Sequence, residues 1–182
     1  MSVRPIVRLG HPALRTPARP VDPSRIADPE VQSLVDEMVE TMNEAHGVGL
    51  AASQVGEEVQ IFVYQASGPP EIPLRVVINP MITPRSGDLV YDWEGCLSIP
   101  DLRGLVPRHP EVRVRGLDRE GQPLDYLAAG LEARIVQHEF DHLNGVIFLD
   151  RMRDLRSLAY FEEWESYMVD RSKQDLDETA VG

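Results

Sequence analysis

Gln137 to Gly145 read QHEFDHLNG, in which His138 and His142 lie four residues apart with Glu139 between them. On a helix, side chains at i and i+4 leave one face a turn apart, so both imidazoles can meet one divalent ion. Glu139, beside the first histidine, can reach a water on that ion without ligating it. A catalytic metal takes three protein ligands and keeps one position open, where the pKa of water can fall to about 7.

Two residues compete for the third ligand position. Glu162 sits in a later helical stretch, at about the spacing that thermolysin-like proteases use after their second histidine. Cys96, the single cysteine, lies far upstream in EGCLSIP, a glycine-flanked turn beside a strand. A thiolate is the softer and stronger ligand, but spacing alone leaves the two nearly level. Asp141 reads equally as a carboxylate orienting an imidazole or as a solvated one. His11, His46 and His109 have no partner at ligand spacing and read as surface or capping residues.

GVGLAASQVG, Gly47 to Gly56, imitates a dinucleotide fingerprint, but a helix precedes it and a strand follows, the reverse of the order that fingerprint needs. It reads as a helix stop with a tight turn, or as a loop whose backbone lines a site. Gln54 near its end could point an amide at a polarised oxygen.

The elements that must carry these residues are legible in the pattern. MSVRPIVRLG alternates like a short strand. DPEVQSLVDEMVETMNEAHG predicts a helix capped by Asp28, with Pro29 in its first turn, an apolar stripe from Val31 to Met42 and Gly47 as its stop. VQIFVYQ and LRVVINP read as strands divided by SGPPEIP, and EVRVRGLDREGQPLDY as a hairpin turning at Gly121. A helix is expected from about Leu131 to Asn144, and another across DLRSLAYFEEWESYMVDR. Residues 1–182 read as one catalytic domain, with about 171–182 a frayed tail.

Composition narrows the function classes. A net charge of −12 argues against a broad basic surface for nucleic acid or anionic membrane. No apolar run approaches the roughly 18 residues of a spanning helix, and no signal-peptide core is present, so a cytoplasmic protein without membrane contact is expected. With one cysteine, no internal disulfide forms.

Taken in order, GVGLAASQ, EGCLS and QHEFDHLNG resemble the motifs of the peptide deformylases. The likeness also takes in LRTPARPVD, LVPR and LDREGQP, and runs to about Leu149. It implies an α+β fold, with antiparallel β-sheets wrapped around a central metal-bearing helix and further helices at the N- and C-terminal ends. It implies a hydrolase that removes formyl from N-formyl-methionyl peptides of nascent chains. By this resemblance Cys96, His138 and His142 bind the metal, which selects Cys96 over Glu162. Glu139 moves the proton, and the Leu97 backbone N–H and the Gln54 amide hold the oxyanion. Gly47, Val48, Gly49 and Leu50 form one wall of the substrate site, with Leu131 and Ile135 in the methionine pocket. Glu94 and Arg103 are implied as structural supports. Arg134, one turn before His138, sits less comfortably near the methionine pocket and reads as a stem that packs while its head reaches solvent. Ferrous iron is the expected ion, with zinc, nickel or cobalt as alternatives. Some family members dock on the ribosome through a basic C-terminal extension, which the acidic end of this chain disfavours. A thermolysin-like protease using Glu162 and a non-catalytic metal binder are the competing readings.

Overall fold

The computed structural model describes residues 2–169. Its elements are α1 (Pro29–Glu44), β1 (Gly49–Ala51), β2 (Ile61–Ala66), β3 (Ile72–Pro84), β4 (Val90–Cys96), β5 (Ile99–Arg108), β6 (Glu111–Leu117), β7 (Pro123–Ala129), α2 (Leu131–Leu143), α3 (Phe148–Arg151), β8 (Ala159–Tyr160) and α4 (Phe161–Tyr167). A five-stranded sheet of order β1-β2-β3-β6-β7 and a three-stranded sheet of order β4-β5-β8 are antiparallel throughout.

The larger sheet separates two cores because β2 is apolar on both faces. Phe62, Tyr64 and Ala66 join Val112, Val114 and the α2 residues Ala133, Ile135 and Val136. Ile61 and Val63 pack instead with Leu34, Val35, Met38 and Met42 of α1. Alternation along a strand dictates this division, and a one-residue slip would exchange every side chain between the cores. It also orients β1, whose Ala51 faces the α2 core while Leu50 faces the α1 core.

Several local expectations change. Residues 2–8 form no strand; the segment is held by Val7 N–H to the Gln54 carbonyl and followed by Leu9 N–H to the Ser98 carbonyl, both 2.9 Å. Asp28 occupies the N-cap of α1 without a capping bond, since Arg25 holds its carboxylate at 2.9 Å. The left-handed residue that ends the helix is His46, at φ 53°, rather than Gly47. β3 continues past Pro80 because Asn79, at φ 51°, opens a bulge there while its amide bonds the Val21 N–H and carbonyl, each at 2.8 Å. The strand thereby passes from pairing with β2 to pairing with β6.

The expected long C-terminal helix is divided. Asp154 caps a 3-10 turn at Leu155–Ser157, and Ala159 and Tyr160 pair with Arg103 and Leu102 of β5 before α4 begins. An available strand edge outcompetes local helix propensity there. Residues from 170 onward, including the expected tail, lie outside the described residues. The Gly121 hairpin and the helix beginning at Leu131 match their sequence patterns.

Candidate metal centre

Cys96 ends β4, and the turn Leu97–Ser98 returns the chain into β5, with Cys96 opposite Ile99. His138 and His142 project from α2, whose apolar residues Ala133, Ile135 and Val136 pack on the large sheet. The centre therefore forms where the helix of one layer meets the strand end of the other. Donor atoms of Cys96, His138 and His142 all lie within 4.8 Å of one another, with Cys96 Sγ 3.2 Å from His142 Nε2. Glu162 is exposed on α4 and outside this group.

The surroundings leave the correct nitrogens facing inward. His138 Nδ1 is 2.9 Å from Glu94 Oε2, which leaves Nε2 for an ion, the arrangement that fixes a ligating imidazole's tautomer. A soft sulfur and two imidazoles fit a tetrahedral divalent transition metal. Burial opposes charge on His138, but hydrogen bonds to Cys96 and Glu94 raise its pKa well above the ordinary histidine value. Burial, reinforced by His138 and Arg108, lowers that of His142.

Glu139 faces the same space. Its Oε2 is buried without a hydrogen-bond partner, and burial pushes its carboxyl up to about 7, a value suited to proton exchange near neutral pH. A cavity of about 460 Å³ opens over it, lined by Gly47, Val48, Gly49, Gln54, Leu97, Leu131 and Ile135 among others. Leu50 is not part of that lining, because strand alternation turns it into the α1 core. Gln54 is fully buried, with Oε1 accepting from Ala51 N–H at 2.8 Å and Nε2 3.3 Å from Ser98 Oγ and 3.5 Å from Cys96 Sγ.

Two glycines of the loop leave space that neighbouring side chains occupy. A Cβ on Gly47 would lie 2.7 Å from Leu97 Cδ1, and one on Gly49 would lie 2.8 Å from Glu139 Cδ. Gly49→Ala is accordingly expected to displace the carboxylate and lower turnover by ~10²-fold, the scale of a 1 Å misplacement, with metal content unchanged. Wild-type turnover in that variant would show that Glu139 need not occupy this position.

Charges behind the centre are paired more deeply than the sequence suggested. Arg108 donates to both Glu94 oxygens at 2.9 and 3.0 Å and to Asp141 at 2.5 Å, and Arg151 also binds Asp141. Asp141 is thus neither solvated nor an imidazole partner. Arg134 does not send its head to solvent, for it binds Glu94 at 2.8 Å and the carbonyls of Val106 and Val90. His46 is exposed and ends α1, and His11 caps a 3-10 turn, both as expected; His46 also lines the cavity. Ser98 and Trp93 are site residues that sequence reasoning missed. Ser98 stood inside EGCLS as a visible signal, whereas Trp93 gave none.

The polypeptide deformylase family model matches residues 3–157. The chain belongs to that family. It is 42% identical over 164 residues to peptide deformylase 1 of Nitrosomonas europaea, covering 87% of this chain and 92% of the relative. The class I type b peptide deformylase of Acinetobacter baumannii in its Met-Ala-Ser-bound crystal structure superposes with a TM-score of 0.79 at 37% identity, over 83% of this chain and 99% of that one. The Synechococcus elongatus deformylase in complex with actinonin gives a TM-score of 0.77 at 43% identity, over 85% and 81%. The family is metal-dependent, in keeping with the Cys/His group.

Proposed function

We propose that this chain removes the formyl group from N-formyl-methionyl peptides of nascent chains and releases formate, with Cys96, His138 and His142 holding one divalent metal. The observation that carries the reading is the convergence of those three donors beside the buried carboxylate of Glu139. When bound, such an ion supplies a Lewis acid and lowers the pKa of a water to about 7.

The chain's own residues do the rest. Glu139 accepts the proton of the attacking water and delivers one to the departing amine, the task its raised pKa suits. Gln54, pinned through Oε1, and the backbone N–H of Leu97 donate to the oxygen that gains charge as the formyl carbon becomes tetrahedral. Gly47, Val48 and Gly49 let the peptide backbone approach one wall, and Leu131 and Ile135 offer an apolar contact for the methionine side chain. Glu94 orients His138. Ferrous iron is the proposed native ion, and the reaction is proposed to occur in the cytoplasm. Among the described residues no helix is long and apolar enough to cross a membrane.

Formate release from formyl-Met-Ala-Ser tests the reading, using protein prepared without oxygen and supplied with ferrous iron or nickel. Absence of formate from metal-loaded protein would leave a silent metal binder. Cys96→Ala is expected to lose bound metal and Glu162→Ala to keep it, as read by elemental analysis. The opposite pair of results would restore the protease-like ligand set.

A further inference from the structure

The arm formed by β8 and α4 lies beyond residues 3–157, the part matched to the family, yet it packs against two residues that line the cavity. Trp164 meets Trp93 edge-on, with ring centroids 6.0 Å apart, and Phe161 packs on Trp164 at 5.6 Å. The Arg103 guanidinium carbon lies 4.8 Å from the Phe161 ring centroid, within cation–π range. Arg103 is fixed further by its bond to the Leu102 carbonyl at 2.8 Å and by Ala159, which pairs with it across the β5–β8 edge.

Arg103 also rests on the backbone beside Cys96. A Cβ on Gly95 would come within 2.6 Å of Arg103 Cζ, so the guanidinium occupies the space a side chain there would fill. Contact therefore runs from Trp164 and Phe161 to Trp93, Arg103 and Gly95, all three of which line the cavity. The root of the arm is anchored as well, because the buried Ser157 hydroxyl accepts from Leu105 N–H at 3.2 Å and donates to the Asp154 carbonyl at 2.9 Å.

We propose that Phe161 and Trp164 are positioning residues that hold the Trp93–Arg103 wall of the cleft in its peptide-binding form. The inference rests on the deformylase reading of the cavity. None of these side chains belongs to the Cys96–His138–His142 group, so their work is on binding rather than on bond cleavage.

The test compares wild type, Trp164→Ala, Trp164→Phe and Phe161→Leu as full-length, metal-loaded proteins acting on formyl-Met-Ala-Ser. For Trp164→Ala, KM is expected to rise about 5–10-fold with kcat within about 2-fold and metal content unchanged, the signature of lost uniform binding. Trp164→Phe keeps an aromatic face and should restore KM to within about 2-fold of wild type. Phe161→Leu, a milder change with the arm left in place, should raise KM in the same sense. The product Met-Ala-Ser, titrated against tryptophan emission, should bind Trp164→Ala more weakly in parallel. Unchanged KM and peptide affinity in Trp164→Ala and Phe161→Leu, or a fall in kcat with KM constant, would overturn the proposal. Should wild type release no formate, the deformylase reading fails; the Met-Ala-Ser titration would then still decide whether the arm shapes the cleft.

Discussion

Glu139→Gln should retain the metal and lose formate release by about 10²–10⁴-fold, the range over which a positioned acid–base group contributes. The substitution preserves shape, so neither the α2 packing nor the fit against Gly49 changes. It removes the one feature the mechanism needs, a carboxylate that can take and return a proton, held buried with Oε2 unpartnered. Because Glu139 stands outside the three-donor group, metal content should match wild type. Near-normal turnover in the variant would eliminate Glu139 as the proton carrier. Loss of the ion would instead make it a ligand.

Arg108→Met should destabilise the fold by about 3 kcal/mol, the lower end of the cost of breaking a buried ion pair. Arg108, Glu94 and Asp141 have side chains only 5%, 4% and 6% exposed, so removal of the cation leaves two carboxylates in a poor solvent. The lower end applies because Arg134 and His138 still reach Glu94, and Arg151 still reaches Asp141. Burial resists ionisation of Glu94, but hydrogen bonds from His138 and Arg108 hold its pKa below the ordinary carboxylate range. Loss of Arg108 should therefore also slacken the grip of Glu94 on His138, and metal affinity should fall about 10–100-fold. Urea unfolding of the metal-free proteins separates the stability effect from the binding effect. A change below about 1 kcal/mol would mean that water or a neighbouring arginine replaces the cation, against the usual cost of a broken buried pair.

The elements that obey a single period were legible in the sequence. The α1 stripe, the Gly121 hairpin and the helix carrying His138 and His142 each arise from local pattern, and local pattern is sufficient because neighbours in sequence make the contacts. The segment after Asp154 reads as a continuous helix because its composition favours one, while the β5 edge that captures Ala159 and Tyr160 is formed by residues over 50 positions away.

The same division runs through the site. The chemistry is written in residue types and short spacings: an i, i+4 histidine pair with a glutamate between, one thiol in a turn, and an amide after a glycine loop. Spacing could not choose between Cys96 and Glu162, because helix periodicity says nothing about which distant strand end a helix will meet. The fold sets the end of β4 against α2 and so brings Cys96 to the histidines, with Cys96 Sγ 3.2 Å from His142 Nε2, while Glu162 is exposed on α4. It also decided that Leu50 turns away from the cavity, that Asp141 and Arg134 are bound within a buried ionic network, and that two aromatic residues of the C-terminal arm brace the wall. Each of those outcomes depends on packing between layers, where burial makes an unpaired charge or a misplaced apolar group costly, and such contacts leave no periodic trace in the chain.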